Sequence, residues 1–476
     1  MTQTVAVIGG GIAGLSAAWE LSQASAAPRV VVLEGDDRLG GKLRAEAFGG
    51  RELDVGPDAF VARRPEALAL CAELGLTDDL VAPGVRRAYI WARGRLRPFP
   101  AGLVLGVPTR FGPLLRSGIC TAPGLARPAL DLLRPRSDRA GPEAPDRAVG
   151  EIVRERMGGQ VCRRLAGPLI GGIHAGDVDL MSAAAVFPAL LDAQRRPGSL
   201  MRALAAAARP PGPVGPDLPE APVFVSLRGG TGRLAEELAR ALGRRGVELR
   251  CGRPVSELRR PGPDGGKRWS VHAGPGPGDV LEADGVVVCV PAPDAGRLLR
   301  PHDGALADAL DRVGYASVAV VSLRLADDAV GRPLDGSGFL VPRAVGDGPD
   351  PLLTACTWLT AKWPELDRPG DLLLRASVGR QGDDRHAQMT DDELLAACLG
   401  ELSQMMGLRR PPLEALVTRW PRAFPQYAVG HLDRVAAIEE AAGRLPGIAL
   451  AGAALHGVGI PACIGSGRRA ARTVLR

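Results

Sequence analysis

Near the start of the chain, Gly9, Gly11 and Gly14 stand in the spacing G-x-G-x-x-G. A backbone that must lie against a pyrophosphate needs glycine at such points: the first permits a tight turn, the second lets main chain approach phosphate, and the third lets a helix pack on the preceding strand. The candidate contacts are Gly9, Gly10, Gly11, Ile12, Ala13 and Gly14. About twenty residues beyond the last glycine stands Glu34, where an acid can accept hydrogen bonds from ribose hydroxyls and disfavours a 2′-phosphate. The chemistry of this pattern is dinucleotide binding. Without its context the pattern is only a glycine-rich turn.

The flanking elements supply the context. Thr4 to Ile8 (TVAVI) is a β-branched apolar run suited to a buried parallel strand. Leu15, Ala18, Trp19 and Leu21 then recur at helical spacing, and Arg29 to Leu33 is a second strand ending at Glu34. The helix amino terminus would face the phosphates with its unpaired N–H groups and dipole. NAD and FAD share this much. Arg38-Leu39-Gly40-Gly41-Lys42 resembles the R-x-G-G-[RK] element of FAD oxidases and favours FAD. Leu53 to Phe60 is a strand running into a Gly-Pro turn, so that Gly56, Pro57, Asp58 and Ala59 offer backbone to a flavin. Arg63 and Arg64 precede Pro65, the first position of a helix over Glu66 to Leu74 that Gly75 stops.

Further on, the chain alternates between recognisable elements and turn-rich stretches. Val149 to Gly172 reads as helical and is followed by His174-Ala175-Gly176-Asp177, in which a lone histidine is more often structural than catalytic. Arg209 to Pro222 is proline-rich and reads as a linker. Gly229-Gly230-Thr231-Gly232 precedes an amphipathic helix over Leu234 to Leu242, a strand follows at Val247 to Cys251, and Val255 begins the next apolar segment. Pro261 to Asp279 is turn-rich, and Gly285 to Val290 is a buried strand. Strands at Val318 to Leu325 and Leu372 to Val378 and a helix at Asp391 to Met406 suggest a separate α+β lobe. Ile448 to Ala451 returns to the first sheet, and Gly457-Val458-Gly459-Ile460 opens a closing helix, a second backbone nest suited to the flavin end.

Bulk properties narrow the classes. A length of 476 residues implies more than one core, and 46% hydrophobic with 24% charged residues is the composition of a folded protein. The net charge of +6 is carried almost wholly by arginine, in a chain also rich in Ala, Gly and Pro. Coding bias explains that skew, so no nucleic-acid partner is inferred. Eight scattered cysteines form no C-x-x-C pair or zinc spacing, so no metal site is expected and the cysteines should be thiols. Only Met1 to Gln3 precede the first strand and no run of about 18 apolar residues occurs, so the expected location is cytoplasmic. Between Arg86 and Arg139, eleven arginines face two acids. That segment is either a solvated face or a surface for an anionic substrate or membrane headgroups.

With these residues in place the chain resembles the bacterial protoporphyrinogen/coproporphyrinogen oxidases, FAD enzymes of haem synthesis within the amine-oxidase-like flavoprotein group. The resemblance spans nearly the whole length. It rests on the glycine turn with Glu34 and Gly40-Gly41-Lys42, on Gly56 to Phe60 with Arg63-Arg64-Pro65, on Ala175-Gly176-Asp177, on Thr357-Trp358 with Lys362-Trp363-Pro364, on Arg419-Trp420 with Pro425-Gln426-Tyr427 and Gly430-His431, and on Gly457 to Ile464. It implies an α/β fold: a discontinuous Rossmann-type FAD domain (1–62, 223–300, 410–476), an α+β substrate domain (63–85, 301–409), and a mostly helical, arginine-rich lobe (86–222) that in relatives can touch membrane. By position it adds Gly35, Lys42, Val255, Trp420, Val458, Gly459 and Ile460 to the flavin contacts. Arg64 falls where relatives carry a basic residue near the substrate and is the candidate catalytic residue; otherwise it is a surface arginine at a helix start.

The activity so implied is oxidation of coproporphyrinogen III to coproporphyrin III, a six-electron conversion with dioxygen as acceptor and hydrogen peroxide released. Four propionates on that substrate suit an arginine-rich chain. Protoporphyrinogen IX, with two, is the alternative, then an amine or carotenoid oxidase of the same group; only Tyr89, Tyr315 and Tyr427 are available for the aromatic cage amine oxidases favour. A nucleotide-binding scaffold without turnover is the reading from a different class. The partners implied are the porphyrinogen, dioxygen, a membrane surface touched peripherally, and the enzyme taking the product onward in haem synthesis.

Overall fold

The computed structural model describes residues 3–133, 145–208, 222–260, 268–274, 276, 279–344 and 349–476. Most of the proline-rich stretch 209–222 and part of the turn-rich stretch 261–279 lie outside the described residues. The chain forms two compact units, each assembled from separated pieces.

The first unit comprises Met1–Ala82, Pro211–Gly314 and Asp433–Arg476. Its centre is a five-stranded sheet in the order Glu248–Arg250, Arg29–Leu33, Thr4–Ile8, Gly285–Val288, Ile448–Leu450. Every pairing is parallel, with Thr4 opposite Arg29, Val5 opposite Gly285 and Val286 opposite Ile448. Thr4–Ile8 is buried throughout, as expected of a parallel strand covered on both faces. Helices Ile12–Ser22, Gly232–Arg244 and Ile460–Val474 contribute Leu15, Leu238 and Ile464 to one core with Val5, Val7 and Val32. The first and last of these approach so closely that a Cβ on Gly467 would run into the carbonyl oxygen of Ala13.

Several boundaries differ from the sequence reading. A strand, Trp269–Ala273, lies inside the supposed turn region; its alternating burial pairs it antiparallel with Val255–Arg259 and Val280–Ala283. Five residues between glycine and proline clusters are too few for periodicity to show. The helix Pro65–Glu73 belongs to the first unit and does not group with 301–409, because Ala67, Leu70 and Cys71 enter the first unit's core. Helix Gly304–Asp311 stays in this unit as well, packed on Ala292–Leu299.

The second unit comprises Pro83–Pro210 and Tyr315–Leu432. A seven-stranded sheet runs in the order Glu414–Pro425, Tyr315–Ala326, Asp371–Val378, Leu353–Trp358, Gly338–Leu340, Tyr89–Ala92, Arg95–Pro98. Helix Asp391–Met406 covers it with Leu394, Cys398 and Leu402, starting in a Thr390/Glu393 capping box and stopping at Gly407 in the left-handed region. A second core, built on Ile152, Leu165, Phe187 and Leu204, holds the short helices between 111 and 207 together. The arginine-rich segment therefore opens with two strands of the sheet before it turns helical. Trp420, placed by sequence in the FAD domain, lies on the edge strand Glu414–Pro425, because that strand pairs along its length with Tyr315–Ala326.

Candidate cofactor site

The three glycines have three distinct surroundings. Gly9 sits at φ +102°, a turn that a side chain would strain. Gly11, the N-cap of helix Ile12–Ser22, has ordinary extended backbone, and a Cβ there would meet nothing within 4 Å. A Cβ on Gly14 would overlap the carbonyl oxygen of Gly9. The first glycine thus makes the turn, the third seats the helix on the strand, and the second faces open space. Ile12 and Ala13 are buried in the first turn of the helix, and no side chain caps it. Its first N–H groups therefore need a partner from elsewhere.

Glu34 is held in place by its own backbone surroundings. Its Oε2 accepts the Gly10 N–H at 2.6 Å and its Oε1 the Asp36 N–H at 2.9 Å. Each carboxylate oxygen keeps lone-pair capacity for a ribose hydroxyl. The Gly40-Gly41 doublet folds back onto the first turn: Gly40 N–H donates to the Gly10 carbonyl at 2.9 Å, and a Cβ on Gly41 would lie 3.2 Å from Gly11 Cα. Arg38, the arginine of the R-x-G-G element, donates to the carbonyls of Leu39 at 3.1 Å and Gly41 at 2.5 Å and so fixes the doublet. Burial, and next the neighbouring Arg44, lower its pKa.

The remaining candidates divide between the units. Glu34 N–H donates to Arg250 O and Arg253 N–H to Glu34 O, which brings Gly35 and Val255 to the acid's end of the site. A residue missed by sequence, Arg297, donates to the carbonyls of Val255 at 3.2 Å and Ser256 at 2.8 Å. Gly56, Pro57, Asp58 and Ala59 form a half-buried loop between strands Arg51–Asp54 and Phe60–Val61. Val458, Gly459 and Ile460 open the closing helix, whose N-cap Gly459 has no side-chain cap. Burial pushes the Cys463 thiol there up to about 11, against the pull of the Lys42 ammonium, so Lys42 stands near this turn too. All of these belong to the first unit. Arg64 is also there, exposed as the N-cap of Pro65–Glu73, whereas Trp420 belongs to the second unit, half-buried.

Three helices of the first unit begin after glycine-rich turns, and their caps distinguish them. Those starting at Ile12 and Ile460 lack side-chain caps, while the one starting at Gly232 is occupied by the Asp54 carboxylate. Two amide-lined turns and one carboxylate beside the first of them, on a parallel sheet, suit the two ends of FAD.

Such a site on such a sheet defines a flavin-binding oxidoreductase of the dinucleotide-fold class. The chain belongs to the flavin containing amine oxidoreductase family, which matches residues 12–475, and its cofactor is FAD. It is 37% identical to coproporphyrinogen III oxidase of Propionibacterium freudenreichii subsp. freudenreichii over 98% of this chain and 90% of that protein. It is 33% identical to coproporphyrinogen III oxidase of Bacillus subtilis (strain 168), over 99% and 97%. A crystal structure of an Exiguobacterium sp. 255-15 protein ascribed to the protoporphyrinogen oxidases superposes with a TM-score of 0.86 at 31% identity, covering 100% of this chain and 99% of that one. No helix among the described residues is long and apolar enough to cross a membrane.

In the second unit, His174 precedes Ala175, which sits at φ +48°. Burial pushes the His174 imidazole down to about 4, and its Nδ1 has no hydrogen-bond partner among the described residues. The folded state therefore keeps the ring neutral, whereas an unfolded chain titrates near 6.5. Stability from this group is present above the unfolded value and is lost as pH falls from about 6.5 toward 4. The loss at pH 5 relative to pH 7 is at most about 2 kcal/mol, reduced by solvent reaching part of the ring. His174→Gln is expected to flatten this part of the urea-midpoint profile, and a variant with the parent's slope would exclude the assignment.

Proposed function

We propose that this protein is an FAD-dependent, oxygen-using oxidase that converts coproporphyrinogen III to coproporphyrin III with release of hydrogen peroxide, within haem biosynthesis. The observation that carries the reading is end-to-end similarity to two proteins of that name in a chain whose glycine turns, Glu34 and uncapped helix starts suit FAD. When bound, FAD supplies hydride acceptance and reoxidation by dioxygen. The chain supplies position: Glu34 orients the ribose, the amides from Gly11 to Gly14 neutralise the pyrophosphate, and the turns at 56–59 and 457–460 hold the flavin end. Val255 completes the contacts in this reading.

Arg64 is assigned to the substrate. It is exposed at a helix start, and its planar fork matches a propionate. The amine-oxidase alternative is weakened by the tyrosines: Tyr89 is buried and donates its hydroxyl to Asp335 at 2.6 Å, and Tyr427 is buried and stacked on His431 at 3.9 Å. Similarity to the Exiguobacterium protein keeps protoporphyrinogen IX as the second substrate reading.

The test supplies both porphyrinogens to purified protein under air and follows porphyrin fluorescence and peroxide together. The expected result is faster turnover of coproporphyrinogen with three peroxides per porphyrin. Faster turnover of protoporphyrinogen overturns the substrate, and a yellow protein that oxidises neither overturns the reading. Loss of one charge-assisted contact in Arg64→Ala should raise KM roughly ten-fold with flavin retained; release of flavin instead would move Arg64 to the cofactor.

The same reading includes a cytoplasmic protein that meets an anionic membrane surface peripherally and hands product to the next haem-pathway enzyme. Its support is a group of arginines in the second unit. After burial, the charges of Arg95, Arg93 and Arg164 lower the Arg97 pKa, and Arg93 donates to Gly118 O at the end of a helix with exposed Leu115. Salt-sensitive sedimentation with anionic vesicles checks it; no sedimentation removes it.

A further inference from the structure

We infer that Thr231 and Asp54 are positioning residues for the flavin end of the site; this rests on the reading that residues 56–59 touch the flavin. The segment Gly229-Gly230-Thr231-Gly232 looks like another phosphate turn, but its helix start is already occupied. Asp54 Oδ2 accepts the Thr231 N–H at 2.7 Å and Oδ1 accepts the Gly232 N–H at 3.0 Å. Asp54 is 6% exposed and Thr231 is fully buried. A Cβ on Gly230, at φ +89°, would sit 2.7 Å from Asp54 Oδ2, so the carboxylate reaches these amides only past glycine. A buried carboxylate on the first N–H groups of a helix is doubly favoured, by charge-assisted hydrogen bonds and by the helix dipole.

The consequence lies three residues beyond Asp54. The Thr231 hydroxyl donates to the Pro57 carbonyl at 2.6 Å. On the other side, Val55 N–H donates to Arg44 O at 2.9 Å. The loop that leaves strand Arg51–Asp54 is thus held at Val55 and again at Pro57, and the second hold is anchored through Thr231 to the acid at the strand's own end. Gly56, Asp58 and Ala59 flank that fixed carbonyl. The hydroxyl sets where the loop's backbone presents itself, while the helix start that carries it is kept from binding an anion by Asp54.

Thr231→Val keeps the shape and the N–H but removes the hydroxyl; Thr231→Ser restores it. With holoenzyme and FAD-stripped protein, three quantities are read: FAD dissociation constant, visible circular dichroism of bound flavin, and apoprotein thermal midpoint. Loss of one buried hydrogen bond at the loop is expected to weaken FAD binding roughly five-fold in the valine variant. The flavin bands should change whether or not the apoprotein midpoint falls as well, and serine should recover both flavin readouts. Ala59→Leu, on the loop itself, should perturb the same bands. If Thr231→Val leaves affinity and bands at parent values, or lowers only the apoprotein midpoint, while Ala59→Leu alters the bands, the inference is overturned. If Ala59→Leu also leaves the bands untouched, the placement of residues 56–59 against flavin fails first and takes the inference with it.

Discussion

A Gly11→Asp variant should fold as the parent does and purify without colour. The backbone at Gly11 has φ −71° and ψ 176°, which any residue adopts, and a Cβ meets nothing within 4 Å. The apoprotein therefore has no reason to lose stability. In the proposed reading, however, the added carboxylate enters the space that the pyrophosphate takes. Two like charges about 4 Å apart at an effective dielectric of about 20 repel by about 4 kcal/mol. That corresponds to roughly a thousand-fold loss of FAD affinity. Gly14→Ala should behave in the opposite way. Its Cβ has to displace the Gly9 carbonyl, so the helix must lift from the strand at a cost of about 3 kcal/mol, and stability falls before affinity is even measured. Denaturant midpoints of the two apoproteins and FAD titrations separate the cases. A yellow Gly11→Asp protein with parental affinity would remove the pyrophosphate from this turn.

The contrast explains which parts of the site could be read from sequence. The glycine turn, its strands and Glu34 are local: they follow one another within about a single βαβ unit, and the spacing itself encodes the geometry. Parallel strands such as Arg29–Leu33 and Gly285–Val288 are unbroken apolar runs because both faces are covered. Asp54 and Thr231 are 177 positions apart, and nothing in either neighbourhood announces the other. Arg297 acts through backbone carbonyls, which carry no residue-type signal. Strand Trp269–Ala273 has polar residues at alternate positions and glycines on both sides, and Trp420 was separated from its sheet because an edge strand's partner is chosen by tertiary pairing.

The other large effect is expected far from any glycine turn, at Asp131 in the second unit. Its side chain has no exposed surface and that of Arg156 has 5%. Asp131 accepts from Arg156 Nε at 3.0 Å and Nη2 at 2.7 Å, from Ser199 Oγ at 2.7 Å, and from the N–H groups of Leu200 at 3.3 Å and Met201 at 3.1 Å. Arg156 Nη2 also donates to Gly198 O at 2.6 Å. One carboxylate thus joins helix Ala122–Leu133 to Val149–Met157 and caps the start of Leu200–Ala207. Asp131→Ala leaves a buried guanidinium uncompensated and a helix start bare, and should cost about 3–5 kcal/mol in a urea titration. High salt should change this little, since buried pairs are screened far less than exposed ones. Replacing both partners, Asp131→Leu with Arg156→Met, should recover most of the loss, because the pair's attraction is largely offset by desolvation when neither charge is buried alone. FAD content should survive in both variants under native conditions, as the partners of Asp131 among the described residues all lie in the second unit. A loss below about 1 kcal/mol in Asp131→Ala would mean that the pair is solvated like a surface ion pair, and the helical core would then rest on apolar packing alone.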